Sequence, residues 1–180
     1  MKYLTKTIKP LLLLFTLYLV SACSSPNISD YSQTSPDFDV LSFFNGELEA
    51  KGVVIDRSGL VTRRFSVKML GSLAEDELTL EEWFVFDDGE QTQRTWIISK
   101  NGDATYSGRA GDIMGTARGE SNGMALHWDY EMDLQVDENI YRVVFDDWLY
   151  RIDEENVINR SVIKKWGFKV GEVILSIRKI

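Results

Sequence analysis

The sequence predicts an all-β domain: an antiparallel up-and-down β-barrel of eight to ten strands, entered through one short N-terminal helix. Three observations carry that prediction. From residue 47 onward period-two alternation of apolar and polar residues recurs, and no stretch keeps helical periodicity for three turns. The dipeptides Ser58-Gly59, Asp88-Gly89, Asn101-Gly102 and Asn122-Gly123 suit tight hairpins that need positive φ. The connections are short enough for sequence neighbours to pair, and a long sheet with little helix to cover it hides its apolar face by closing on itself.

In chain order, Lys2, Lys6 and Lys9 precede an apolar run from Leu11 to Val20, broken only by Thr16. That run is too short to span a bilayer comfortably and ends in small residues, so 1–22 reads as a signal peptide. Val20-Ser21-Ala22-Cys23 resembles the bacterial lipobox, which implies cleavage before Cys23 and its lipidation: a diacylglyceryl group on the thiol and an acyl chain such as palmitate on the new amine. Several chains on one residue anchor firmly, where a single chain is marginal. Ser24 stands where an Asp would imply inner-membrane retention, so the resemblance to enteric-type lipoproteins implies the cell outer membrane, with the domain facing the periplasm. Cys23 is the sole cysteine, which excludes an intrachain disulfide and a cysteine metal site.

Removing 1–22 takes away three lysines and no acid, moving the formal charge from −8 to −11. Such a chain is repelled by nucleic acid, and no basic stripe offsets this.

Ser24 to Pro36 holds five serines, a threonine and two prolines. This composition buries too little surface to offset chain ordering, so 23–36 reads as a lipidated flexible tether and 37–180 as a single β-barrel domain. Residues 36–46 read as a short helix with an Asp near its start and a glycine stop. Strands are expected at 47–56, 60–70, 78–87, 91–100, 103–110, 115–121, 124–134, 140–152, 156–165 and 171–179. The clearest is 124–134, where Met124, Leu126, Trp128, Tyr130, Met132 and Leu134 share one face and Ala125, His127, Asp129, Glu131 and Asp133 the other.

Two irregularities bear on function. Tyr141, Val143 and Phe145 share one parity and Trp148 and Tyr150 the other, and a bulge at Asp146-Asp147 would bring all five to one face. In the strands 60–70 and 78–87, the inward sets Val61, Arg63, Phe65, Val67, Met69 and Leu78, Leu80, Glu82, Phe84, Phe86 each hold one charge. A hairpin centred near Ala74 would bring Arg63 and Glu82 within diagonal reach. That pair reads either as a polar anchor for the head group of an amphipathic ligand or as a structural ion pair. Arg109, Arg118, Glu120, Arg142 and Arg160 are further cavity candidates that surface ladders explain equally well. Five tryptophans, nine phenylalanines and seven tyrosines serve either core packing or a ligand lining. The ligand-binding candidates are Arg63, Glu82, Phe84, Trp128, Tyr130, Phe145 and Trp148.

Catalytic signals are sparse. His127 sits on the expected wet face without a nucleophile or metal partner. Asp87-Asp88-Gly89-Glu90 lacks the spacing of a calcium loop and reads as a hairpin turn. No phosphate loop, dinucleotide fingerprint, zinc motif or nucleophile elbow is present. The carboxylates of Asp146 and Asp147 are the one remaining catalytic candidate; beside these missing motifs, neither an enzyme nor a cofactor or metal is expected.

The segments DRSGLVTRRFSV (56–67), EEWFVFDDGE (81–90), YSGRAGDIMGTARGE (106–120), YRVVFDDWLY (141–150) and INRSVIKKWGFKVGEV (158–173) resemble an uncharacterised Gram-negative lipoprotein family of the domain-of-unknown-function series (DUF3833-like). The resemblance implies a lipocalin-like barrel of the calycin kind and maps no catalytic residues. The helix–glycine–strand entry resembles that of lipocalins, although Leu48 stands where those proteins usually carry a Trp. The expected function is an outer-membrane-anchored lipoprotein that binds or shuttles a lipid or fatty-acid-like molecule in the periplasm. The alternative is a solid barrel serving as a structural or protein-interaction module of the envelope.

Overall fold

Ten strands follow one another in the computed structural model, each hydrogen-bonded antiparallel to its sequence neighbours: β1 (Gly46–Asp56), β2 (Val61–Ala74), β3 (Glu77–Phe86), β4 (Gln91–Lys100), β5 (Thr105–Arg109), β6 (Ile113–Asn122), β7 (Ala125–Val136), β8 (Asn139–Arg151), β9 (Asn156–Lys165) and β10 (Phe168–Lys179). β1 then pairs with β10, from Leu48 opposite Lys179 to Asp56 opposite Gly171, and the sheet closes. Closure removes the two outer edges that an open sheet would offer to another chain. The structure describes residues 26–180 except Asp137. The expected signal peptide, the expected lipidation of Cys23 and the start of the expected tether lie outside the described residues. Among those residues no helix is long and apolar enough to cross a membrane.

One end of the barrel is plugged. Helix α1 (Val40–Phe44) starts at Asp39, whose Oδ1 accepts from Ser42 N at 2.9 Å. Phe38, Val40, Leu41, Phe43 and Phe44 are all buried, and Phe43 meets Phe38 and Phe44 edge-on at ring distances of 5.6 and 5.2 Å. The carbonyls of so short a helix find no intrahelical donors. Lys179 Nζ serves those of Ser42, Phe43 and Asn45 at 3.0, 2.8 and 3.0 Å. Gly71 makes the approach possible, since a Cβ there would lie 1.7 Å from the Phe44 carbonyl oxygen.

The segment between Asn27 and Pro36 differs from the flexible tether that its composition predicts. It forms a 3₁₀ turn at Ile28–Tyr31 and lies against the barrel wall. Phe38 N donates to Gly123 O at 2.8 Å and Met124 N to Thr34 Oγ1 at 3.0 Å. Tyr31 packs on Trp148 and Tyr150 at ring distances of 5.8 and 5.7 Å. A single aromatic and a few hydrogen bonds to turn backbone suffice to hold a polar segment that has no core of its own.

The same contact explains a second departure. No bulge interrupts β8 at Asp146-Asp147, and its register with β7 and β9 runs evenly through both residues. Val143, Phe145, Asp147 and Leu149 therefore point inward, while Trp148 and Tyr150 stay outward beneath Tyr31. Register shifts occur elsewhere, at Val54/Ile55, Met114/Arg118 and Lys169/Gly171.

Gly71→Ala is expected to displace the plug and cost about 1–3 kcal/mol, the usual range for an overpacked contact, read as a lowered urea midpoint. Gly111→Ala, with open space around it and no positive φ, controls for the loss of a glycine as such.

Candidate functional site

The barrel end opposite α1 is open and leads into a cavity of about 520 Å³. Alternation builds it: the inward residues of β2, β3, β4, β7, β8 and β10 supply Phe65, Phe84, Phe86, Trp96, Trp128, Tyr130, Phe145 and Leu175 as walls. Two glycines shape one side. A Cβ at Gly108 or Gly119 would lie 2.5 or 2.2 Å from the Trp128 ring, so the indole lies flat across both strands. Trp96 meets Trp128 and Tyr130 edge-on at 5.8 and 5.3 Å, and Tyr130 stacks on Phe145 at 5.2 Å with planes 4° apart. Such pairs fix ring positions beyond what apolar burial alone would do.

Charges sit deep among these rings. Arg94 lies opposite Glu82 in the β3–β4 register and forms an ion pair with Asp112 at 2.7 Å. Asp147, from β8, lines the same cavity and is hydrogen-bonded to Ser161. Burial pushes the Glu82 carboxyl up to about 7, against the pull of Arg94 and a hydrogen bond from Trp96. Burial likewise pushes Asp147 up to about 7, opposed by Ser161 and Arg94. Tyr130 is raised well above its ordinary value by burial and by the nearby Asp147. Burial works against the Arg94 charge, but Tyr130, Glu82 and Asp112 more than compensate, so the guanidinium stays protonated. Glu82 Oε2 and Asp147 Oδ1 are enclosed and have no hydrogen-bond partner.

Six of the seven residues singled out from sequence line this cavity: Arg63, Glu82, Phe84, Trp128, Tyr130 and Phe145. Trp148 does not, because the missing bulge leaves it on the outer surface, stacked on His127 at 4.6 Å. Arg63 and Glu82 are not paired. The β2–β3 hairpin turns at Glu75-Asp76 rather than at Ala74, so Glu82 faces Met69 and Arg63 lies nearer the mouth. There Arg63 bonds Asp88 and Glu90 at 2.7 and 2.8 Å and lies 3.8 Å over the Phe86 ring.

Asp146 and Asp147 do not form a carboxylate pair, since neighbouring strand residues face opposite ways. Asp146 is on the outer surface, held by Lys164 and by His127 Nε2 at 2.8 Å. Arg109, Arg118, Glu120, Arg142 and Arg160 are absent from the cavity lining; Arg142 and Arg160 pair with Asp133 and Glu172. Among the described residues no group of three or more His, Cys, Asp or Glu side chains is placed to hold a metal ion.

Sequence reasoning missed Arg94, Asp147 and Asp112 as cavity residues. Arg94 was legible, for it shares parity with Trp96 and Ile98, both buried. Asp147 was hidden by the expected bulge, and Asp112 by lying in a turn.

Compared with known proteins, residues 17–179 match the family model described as "Protein of unknown function (DUF3833)". No curated protein matches. Five solved chains match, among them the S-type phycobiliprotein lyase CPES from Guillardia theta, at a TM-score of 0.53 and 9% identity over 87% of this chain and 99% of that one. At that identity the likeness is one of fold.

A carboxyl raised on folding holds more protons in the folded chain than in the unfolded one. The empty barrel should therefore lose stability as pH rises from about 4 to about 7 and level off above that. Glu82→Gln should raise stability by about 1–3 kcal/mol at pH 8 and leave it nearly unchanged at pH 4, as read by urea unfolding at the two pH values.

Proposed function

We propose that this chain, which belongs to the DUF3833 family of unknown function, binds a small amphipathic ligand inside its barrel. One observation carries the reading: an open-ended cavity of about 520 Å³ with aromatic walls and a buried polar cluster. Small-molecule sites have this size and build, with a few placed polar groups on an apolar lining. The walls would take the ligand's apolar body, and Glu82, Arg94 and Asp147 its polar end. The solved neighbour is a lyase by title and lends this chain its architecture alone. The leader and Cys23 support a lipid anchor in the outer membrane that keeps the barrel near a pool of amphiphiles.

A second reading, docking to an envelope partner, is favoured by one feature of the mouth. Trp166 and Phe168, at the β9–β10 hairpin, are 87% and 75% exposed, and Ile140 of the neighbouring hairpin is 70% exposed. Exposed apolar groups clustered at hairpin tips suit a contact surface.

The test is titration with the environment-sensitive apolar dye N-phenyl-1-naphthylamine. Saturable binding at one dye per chain is expected. Leu175→Trp, which puts an indole into the cavity, should weaken it at least tenfold with an unchanged circular dichroism spectrum. Equal dye binding by both proteins would overturn the cavity as the site and leave the mouth surface as the functional feature.

A further inference from the structure

We infer that the ligand's polar end is a hydrogen-bond donor, foremost a primary amine, held by the carboxyls of Glu82 and Asp147, and that a carboxylate or phosphate head is rejected. The inference rests on the ligand-binding reading above and names the chemistry of that same site.

Three observations carry it. The first is the unmet bonding capacity of the polar cluster partway down the cavity, between the mouth and the apolar residues Val40, Phe44 and Leu80 at the plugged end. Glu82 Oε2 and Asp147 Oδ1 are buried acceptors without donors, and a buried polar atom left unpaired is costly enough to be rare. The two carboxyls are close enough to act on each other electrostatically, and a group with several N–H donors, placed between them with a small shift of the side chains, would satisfy both. The third atom of this kind, Arg63 Nε, is a donor, but it belongs to the mouth beside Phe86, Asp88 and Glu90.

The second observation is the commitment of the cations. Among the described residues, Arg63 and Arg94 are the basic side chains lining the cavity, against five acidic ones: Glu82, Glu90, Asp112, Asp133 and Asp147. Arg94 gives Nε and Nη2 to Asp112 at 2.8 and 2.7 Å, and Nη2 also reaches Met132 Sδ at 3.6 Å. Arg63 is held by Asp88 and Glu90. An anionic head would have to break one of these pairs and then sit among carboxyls, a like-charge contact that disfavours binding.

The third observation is aromatic. Trp96, Tyr130 and Phe145 line the same cavity as the cluster, and a cavity walled by aromatic rings favours an ammonium group over an anion wherever a ring face is presented to it. Glu82 is faced by Arg94, Asp112 and Trp96, and Asp147 by Ser161, Arg94, Tyr130 and Glu82, with Asp146 behind it on the outer surface. An ammonium placed between the two carboxyls draws both toward the ionised form, so affinity for an amine should rise with pH between about 6 and 8 while affinity for an uncharged head stays level.

The experiment uses the full-chain protein, processed in its host and held in lipid nanodiscs, with empty nanodiscs as the baseline. Octylamine, octanol and octanoate are titrated by calorimetry at pH 6 and pH 8. These probes share one tail and differ only in the head. The expected result is octylamine at least tenfold tighter than octanoate at pH 8, with the advantage reduced at pH 6. The double variant Glu82→Gln, Asp147→Asn should erase the amine preference, bringing octylamine to the affinity of octanol, with the circular dichroism spectrum of the folded barrel kept. Octanoate binding as tightly as octylamine overturns the inference while leaving the cavity reading intact. If none of the three probes binds above the baseline to a folded barrel, the cavity reading falls and the inference with it.

Discussion

The pairing of β1 with β10 turns a strip of ten strands into a tube, and almost every other feature follows from that closure. In an open sheet the two faces answer to different neighbours. In a tube one face of every strand must share a single interior, so each inward side chain either fills that space or borders what is left of it. The described interior is filled at one end by the phenylalanines around α1 and left open at the other. Gly71, Gly108 and Gly119 mark places where backbone or an indole ring presses too close for any side chain.

Given that geometry, the deep polar cluster is a destabilising feature that the fold tolerates. Two carboxyls raised toward neutrality and a guanidinium tied to Asp112 all cost desolvation free energy that leucines in their places would not. Local costs of this kind are commonly retained where a site has work to do. The aromatic lining gives the surroundings a definite shape, since Trp96, Trp128, Tyr130 and Phe145 constrain one another through ring contacts.

Much of this was legible in the sequence, and the reason is period two. Alternation in 124–134 places five lining residues correctly, and the four turn dipeptides mark four of the nine hairpins. What alternation cannot supply is register. A hairpin turn shifted from Ala74 to Glu75-Asp76 separates Arg63 from Glu82 and gives each a different partner. Nor does alternation reveal cover brought from a distance. Trp148 looks inward-facing by hydrophobicity, yet Tyr31, more than a hundred residues away, provides the apolar contact that lets it lie outside. The polar composition of 27–36 concealed that role because one tyrosine does the packing while the remaining contacts run through backbone groups.

The central claim, that the barrel is a container, is tested most directly by native and denaturing mass spectrometry of the protein isolated gently from its own host. A population carrying one small molecule per chain is expected, retained under native conditions and released on denaturation. A single apo mass under both conditions, unchanged after exposure to amphiphiles with amine, hydroxyl and carboxylate heads, would contradict the claim.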